Sequence, residues 1–432
     1  MEITINPLSE VLQEAEIVVS DEELRPHFDA AYGKEQKRLE IKGFRKGKAP
    51  LDVIKRLYGQ AIEHQALDSV ANDFYRKAMD ERDIHPLGEP SMVDMDYQRG
   101  DRFRFKIQYE IRPDIMLGTY KKLAVEKPVH HPDEADAEAE ILRLRKANST
   151  TEVVDAVTDP EHVVTADIQE LDPVGTPIIG RKAKDMHFYL ADESLSAGIR
   201  NALKNAESGG SYRTRLEPVE AEGKPALEIT LNVSKIEKVV LPTFDDALVS
   251  RITGGKITSV DEFRANLRTD LDRYWTDWSE RKLADAISAE IVKNHFFTVP
   301  ESLVTTVMDS YVEDIRNRTR DRKLPKDFDE EKFRHESRDL AVWQAKWLLL
   351  KERIADVEKI ELKETDIEQA VEAESGRIGV PKDRMMEYYK KSSAARNQLL
   401  SKKIMAFLVA EAKVTEKEVA HEHEPSGVRI EQ

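Results

Sequence analysis

The chain has 432 residues, 35% of them charged and 40% hydrophobic, and a formal net charge of −16. It contains no cysteine, which excludes a disulfide scaffold, a thiol nucleophile and a cysteine-ligated metal. No apolar run approaches the ~18 residues of a membrane span, the opening MEITINPLSE lacks the regions of a signal peptide, and the acidic balance disfavours general nucleic-acid binding.

A cytoplasmic protein with no membrane partner is therefore expected, and its length suggests about two to four domains. Residues 1–19 alternate in places and read as strand. Ser20-Asp21-Glu22-Glu23 is a capping box, opening a helix with Leu24, Phe28, Ala31 and Tyr32 on one face and its end near Glu40. Ala49-Pro50 restarts a helix with proline near its first turn, and a longer helix is read over 60–81. Strands follow at 91–97 and 102–111, the second alternating as Phe103, Phe105, Ile107, Tyr109, Ile111. Residues 1–112 are read as one α+β domain.

Residues 113–154 read as an extended linker with Pro128 and Pro132, then a charged helix over 133–147 that packs with the helices further on. Residues 155–240 return to β character, punctuated by Gly175, Gly180, Gly209-Gly210 and Gly223. A helical domain is read over 241–415, with a helical pattern from Val260 to Lys413 in segments at 260–295, 301–322, 328–357, 364–376 and 381–412, and 416–432 is a polar, frayed tail. The fold class is multidomain α+β: a small β-rich domain is inserted ahead of a discontinuous long-helix domain.

Charge is most uneven between Lys34 and Arg56, where nine basic residues face three acidic ones, a local balance of +6. At its centre stands Gly43-Phe44-Arg45-Lys46-Gly47-Lys48-Ala49-Pro50. The glycines permit a tight turn at positive φ, the proline ends it, and the cations suit phosphates or carboxylates. A solvated turn with Phe44 folded into its own core is the plainer alternative.

This octapeptide resembles the ribosome-docking signature of the bacterial trigger factor family, G-F-R-x-G-K-x-P, at every fixed position. Val299-Pro300-Glu301, Pro381-Lys382 with Glu387-Tyr388-Tyr389, and 412–418 are similar to the family's helical domain. The resemblance covers essentially the whole chain. It implies an ATP-independent chaperone that docks on the large ribosomal subunit near the exit tunnel, on a ribosomal protein and adjacent RNA. Such a chaperone binds unfolded nascent polypeptides, assists their folding and export, and is a homodimer when free. No cofactor and no metal are implied.

The family's insertion resembles the FK506-binding-protein fold, a prolyl cis-trans isomerase working against a barrier of ~18–20 kcal/mol. Its pocket uses aromatics and an Ile-Pro-Gly-Phe-like turn. Here the matching stretch is Ser194-Leu195-Ser196-Ala197-Gly198-Ile199, without the proline or phenylalanine. Between 163 and 238 the only aromatics beside His187 are Phe188, Tyr189 and Tyr212, and the strand Asp167-Ile168-Gln169-Glu170-Leu171 has none. Phe188, Ile199 and Tyr212 are the candidates for a degenerate pocket, and whether isomerase activity is weak or lost stays open.

Client contacts in the helical domain are sought around Val304, Val307, Met308 and Tyr311, and around Met385, Met386, Tyr388 and Tyr389, each also consistent with core. Trp343, Trp347 and Leu350 read as core. His130-His131 and His421-Glu422-His423 fit no zinc spacing and read as solvated. No Walker loop or nucleophile elbow is present. The competing readings are a free prolyl isomerase, a periplasmic holdase, which needs a signal peptide, and an RNA-binding factor.

Overall fold

The computed structural model describes residues 1–172, 174–192, 194–216 and 227–420, with 377 and 378 described in backbone only. The chain forms two compact units, Met1–Lys127 with Arg281–Glu416, and Pro128–Glu280 with the residues from Lys417 onward.

The first unit opens with β1 (Glu2–Pro7), β2 (Leu12–Ser20), α1 (Asp21–Gln36), α2 (Leu51–Asp80), β3 (Leu87–Gln98) and β4 (Arg102–Glu110). The strands form an antiparallel sheet in the order β1-β2-β4-β3. A strand turns alternate side chains to opposite faces, so Phe103, Phe105, Ile107 and Tyr109 of β4 all point inward, with Phe105 opposite Ile17 of β2. They bury against Leu24, Phe28 and Tyr32 of α1 and Ile62, Val70 and Phe74 of α2. Glu23 closes the expected capping box by accepting the Ser20 N–H at 3.2 Å and its hydroxyl at 2.9 Å. α1 ends at Gln36, short of Glu40, and a turn closed by the Arg38 N–H on the Glu35 carbonyl follows it. The two helical stretches expected after Pro50 are one helix.

β5 (Ala124–Val129) replaces the expected linker, and α3 (Glu134–Ala147) follows it. The second unit then carries β6 (Thr150–Val154), β7 (His162–Leu171), β8 (Pro177–Tyr189), α4 (Ala197–Leu203), β9 (Ser211–Leu216) and β10 (Leu227–Val240). Their sheet runs β6-β10-β7-β8, with β9 also on β10. Val164, Phe188, Ile199, Leu203, Leu231 and Ile236 close its core. α5 (Asp246–Ile252), capped by the Asp245 carboxylate on the Leu248 N–H at 2.9 Å, was not anticipated. α6 (Val260–Lys293) begins in this unit, where Phe263, Leu267 and Leu271 pack on Ala137 and Ile141 of α3.

The other elements are α7 (Glu301–Arg318), α8 (Glu330–Glu358), α9 (Glu364–Ile378), α10 (Lys382–Lys391), α11 (Ser393–Glu411) and β11 (Lys413–Glu418). The single helix expected over 381–412 breaks at Ser392, which is extended and uses its hydroxyl to cap the Ala395 N–H. The first residues of the tail expected to fray, 416–418, instead belong to β11, paired with β5, since both strands offer backbone groups that must find partners, and the tail from 421 lies outside the described residues. His130, expected in solvent, lies with one ring nitrogen 2.9 Å from the Asp136 carboxylate and the other 3.0 Å from the Val419 carbonyl, its ring against Trp275. His421, His423 and Gly223 lie outside the described residues. Leu350 is buried, with Trp343 and Trp347 packed around it.

The sheet and α7 are joined by carboxylates. Glu110, at the end of β4, accepts the first N–H groups of α7 from Glu301 at 2.9 Å and Ser302 at 2.8 Å. An anionic group there satisfies orphan donors and complements the helix dipole. Gly88 lies against this joint at φ +66°, and a Cβ on it would meet the Ser302 Cβ at 2.4 Å. Gly88→Ala combines a left-handed backbone penalty with overpacking, together about 2–4 kcal/mol. Amide exchange should therefore speed up in β3 and the first turn of α7 and stay unchanged in β7 and β10.

Candidate functional site

Fourteen residues, 37–50, connect α1 to α2. Both shoulders of this loop are buried: Ile41 is 9% exposed and Ala49 4%. The Gln36 amide donates to the Ala49 carbonyl at 2.6 Å. Between these anchors the chain makes two tight turns, closed by Phe44 N–H on the Ile41 carbonyl and Lys48 N–H on the Arg45 carbonyl. Gly43 and Gly47 adopt φ of +95° and +74°, which other residues reach only with strain. Pro50 caps α2.

This geometry turns Phe44 outward, 43% exposed. Lys46 forms a surface ion pair with Glu40 at 3.3 Å, both side chains well exposed, so its net worth is small. Lys42, Arg45 and Lys48 are exposed and make no ion pair among the described residues. The loop therefore presents one aromatic ring among cations available to an anion.

Glu63 of α2, a carboxylate only 6% exposed, ties the two helices that carry the loop to the sheet. It accepts from the Tyr32 hydroxyl of α1, from the Tyr97 hydroxyl of β3 at 3.0 Å, and from Arg99 Nη2 at 3.1 Å, the guanidinium also pairing with it at 2.8 Å through Nε. The helix passes through Gly59 because Arg99 needs the space: a Cβ there would lie 2.8 Å from its Nη2. Burial, then the Glu63 hydrogen bond, pushes the Tyr32 hydroxyl up to about 12. Tyr97 is raised for the same two reasons. Lys55 lies 5.1 Å over the Tyr32 ring and pairs with Asp29 at 2.6 Å. Sequence reading did not find this cluster. Its one signal is an acid beside Ile62 and ahead of Leu67, on the apolar face of a helix.

In the inserted β-rich region Phe188 and Ile199 are each 7% exposed within the same core. Tyr212 packs at its edge, and its oxygen accepts the Glu207 N–H at 2.7 Å. The Tyr189 hydroxyl donates to Glu161, and His187 lies 3.0 Å from the Thr165 hydroxyl. Ser196 stands at the N-cap of α4. A nearby depression is lined by Ile168, Ala183, Leu216, Leu227 and Ile229 with Glu170, Arg181 and Lys182, none aromatic. Of the helical-domain candidates, Val304, Met308, Met385 and Tyr389 are buried, Val307, Tyr311 and Met386 half-buried, and Tyr388 is 60% exposed. No group of three or more metal-binding side chains occurs among the described residues, and no described helix is long and apolar enough to cross a membrane.

Removing Glu63 strands the buried Tyr32 and half-buried Tyr97 hydroxyls, whereas Arg99, its side chain 54% exposed, turns to water. Glu63→Ala should destabilise the N-terminal sheet domain by on the order of 3 kcal/mol, measured by urea unfolding with fluorescence. Tyr32 keeps its proton in the folded state above the usual tyrosine value of 10. The sign is therefore that stability is full below about 10 and falls as pH rises from there toward about 12. Tyr32→Phe should flatten that alkaline slope.

The family described as bacterial trigger factor protein (TF) matches residues 1–144, and bacterial trigger factor protein (TF) C-terminus matches 259–410. Trigger factor of Salinibacter ruber is 28% identical over 433 residues, covering 94% of this chain and 93% of the relative. Trigger factor of Chloroherpeton thalassium is 28% identical over 383 residues, 88% of each chain. A solved structure of the trigger factor chaperone, concerned with its promiscuous substrate recognition in folding and assembly, covers 95% of this chain and all of its own. Its TM-score is 0.50 at 18% identity, which supports a shared fold. With both ends of the chain matched and relatives aligned over nearly its full length, the chain belongs to the bacterial trigger factor family.

Proposed function

We propose that this family member is an ATP-independent, ribosome-associated chaperone that docks through Gly43, Phe44, Arg45, Lys46, Gly47, Lys48, Ala49 and Pro50. The partner is the large ribosomal subunit near the exit tunnel, and the clients are unfolded nascent chains. The observation that carries the reading is the outward Phe44 ring, flanked by unpaired cations on a loop anchored at both shoulders. Ribosomal RNA is dense in phosphate, and a +6 loop on a −16 chain favours approach in one orientation. Arginine can bind phosphate or carboxylate bidentately, and a phenyl ring supplies the apolar anchor typical of contact hot spots. The proposed divisions are a docking domain at 1–112, an isomerase-like insertion at 155–240 and a helical client-binding body at 241–415.

Co-sedimentation with bacterial 70S ribosomes tests the dock. Phe44→Ala/Arg45→Ala/Lys46→Ala should weaken binding on the order of 100-fold and leave aggregation suppression unchanged. Equal pelleting of both proteins would assign the loop to a solvated turn.

For the insertion we infer a retained fold with weak or absent prolyl isomerase activity. Phe188 and Ile199 are spent on the core, and the Tyr212 oxygen on a backbone hydrogen bond. Holding a twisted X-Pro amide needs an open apolar pocket that favours the transition state. A tetrapeptide isomerisation assay should give a rate close to the uncatalysed one. A fast rate lost in Tyr212→Ala would restore the enzyme reading.

A further inference from the structure

Phe296, in the loop between α6 and α7, is 90% exposed although the chain on both sides of it is anchored. His295 is 3% exposed. Its Nε2 accepts the Gly118 N–H at 2.8 Å, so Nδ1 carries the proton and donates to the Ile291 carbonyl at 2.6 Å. Phe297 packs against the helical core, and the Thr298 hydroxyl donates to Glu10 at 2.9 Å. The Phe296 ring is thus held in solvent by a fixed backbone. A phenyl group left uncovered forgoes about 2 kcal/mol of burial, which a partner can recover.

The ammonium of Lys346, on α8, lies 5.5 Å from the ring centroids of both Phe296 and Phe297. Its helical neighbours three and four positions away are Val342, Trp343, Leu349 and Leu350, none of them acidic. Among the described residues Lys346 makes no ion pair, whereas Arg334 and Arg338 on the same helix pair with Asp309, Glu330 and Glu301. Partial burial holds its ammonium below the usual lysine range. Two aromatic faces attract the cation without neutralising it, so a carboxylate entering this apolar setting would form a charge-assisted hydrogen bond of above-average strength. Met116, two residues from the Gly118 that His295 holds, is 88% exposed and adds apolar surface on the neighbouring segment.

We propose that Phe296, Phe297 and Lys346 form a contact site for unfolded polypeptide segments in which an apolar side chain is followed by a carboxylate. The proposal rests on the chaperone reading above and specifies one chemistry of client for it. The lysine selects against basic segments at this position by like-charge repulsion. A purely apolar segment covers the Phe296 ring and leaves the ammonium unpaired. The acidic surface elsewhere on the chain acts at longer range, where salt screens it within about 8–10 Å. The local pairing therefore sets the preference.

The test uses two labelled peptides of about twelve residues, identical except for Leu-Phe-Asp-Leu or Leu-Phe-Asn-Leu at the centre. Each is titrated by fluorescence anisotropy against the full-length wild type, Lys346→Met and Phe296→Ser, with suppression of client aggregation followed in parallel. The wild type should bind the acidic peptide about 5–10-fold more tightly. Lys346→Met should remove that difference without weakening the neutral peptide, and Phe296→Ser should weaken both. Because Phe296 is exposed and methionine replaces the lysine stem at similar length, neither variant threatens the fold. Equal binding of the two peptides by the wild type, or a preference that survives Lys346→Met, overturns the inference while aggregation suppression stands. Loss of peptide binding and aggregation suppression in the wild type overturns the chaperone reading with it.

Discussion

The buried carboxylate of Glu63 ties together the parts of the chain on which the basic loop depends. A charge that is 6% exposed must be paired and hydrogen-bonded to persist. Its three donors come from α1, from β3 and from the turn before β4. The helical hairpin is thereby set on the sheet at one spacing, and the loop is strung between two helix ends whose positions are already determined. Ile41 and Ala49 then bury the shoulders, and Gly43 and Gly47 supply the backbone angles that the excursion needs. The outward placement of Phe44 follows from constraints several residues away from it.

Carboxylates serve the body of the protein in a different way from the cations of the loop. Glu110 and Glu10 satisfy backbone and hydroxyl donors at the approach to α7, and Glu301 passes the connection to Arg338 on α8. Many of the body's lysines and arginines are likewise neutralised by a neighbour. Against that background Lys42, Arg45 and Lys48 in the loop and Lys346 beside two phenyl rings, which make no ion pair among the described residues, are open to an outside anion. The aromatic side chains divide similarly. Those of the β-rich region are committed to its core and its internal hydrogen bonds, while Phe44 and Phe296 are held out by anchored backbone.

Much of the architecture was legible in local pattern. The alternation of β4 predicts a half-buried strand because successive side chains must face opposite ways. The Ser20–Glu23 box marks the start of α1 because both groups satisfy donors the helix leaves free. The charged helix read over 133–147 is expected to pack on a later one, and Ala137 and Ile141 of α3 meet Phe263, Leu267 and Leu271 of α6. What escaped depends on contacts between residues distant in sequence. The stretch after Pro50 and the one at 60–81 read as two helices, yet α2 runs unbroken through Gly59, where an added Cβ would lie 2.8 Å from Arg99 Nη2. Residues 416–418 read as the start of a frayed tail until β5 offers β11 hydrogen bonds. His130 reads as solvated until Asp136 and the Val419 carbonyl stand on either side of it.

By itself the sequence determined most of the helices and strands, where the positive charge concentrates, and, through the octapeptide at 43–50, which family to expect. Those properties are carried by neighbours along the chain, through periodicity, capping and turn chemistry. Only the tertiary structure decided which side chains are available to a partner. Phe44 and Phe188 are the same residue type, yet one is 43% exposed and the other 7%. Lys346 and Arg338 lie on one helix, yet only Arg338 finds a carboxylate. Exposure and pairing depend on what folds back from elsewhere in the chain, and local spacing carries no record of that.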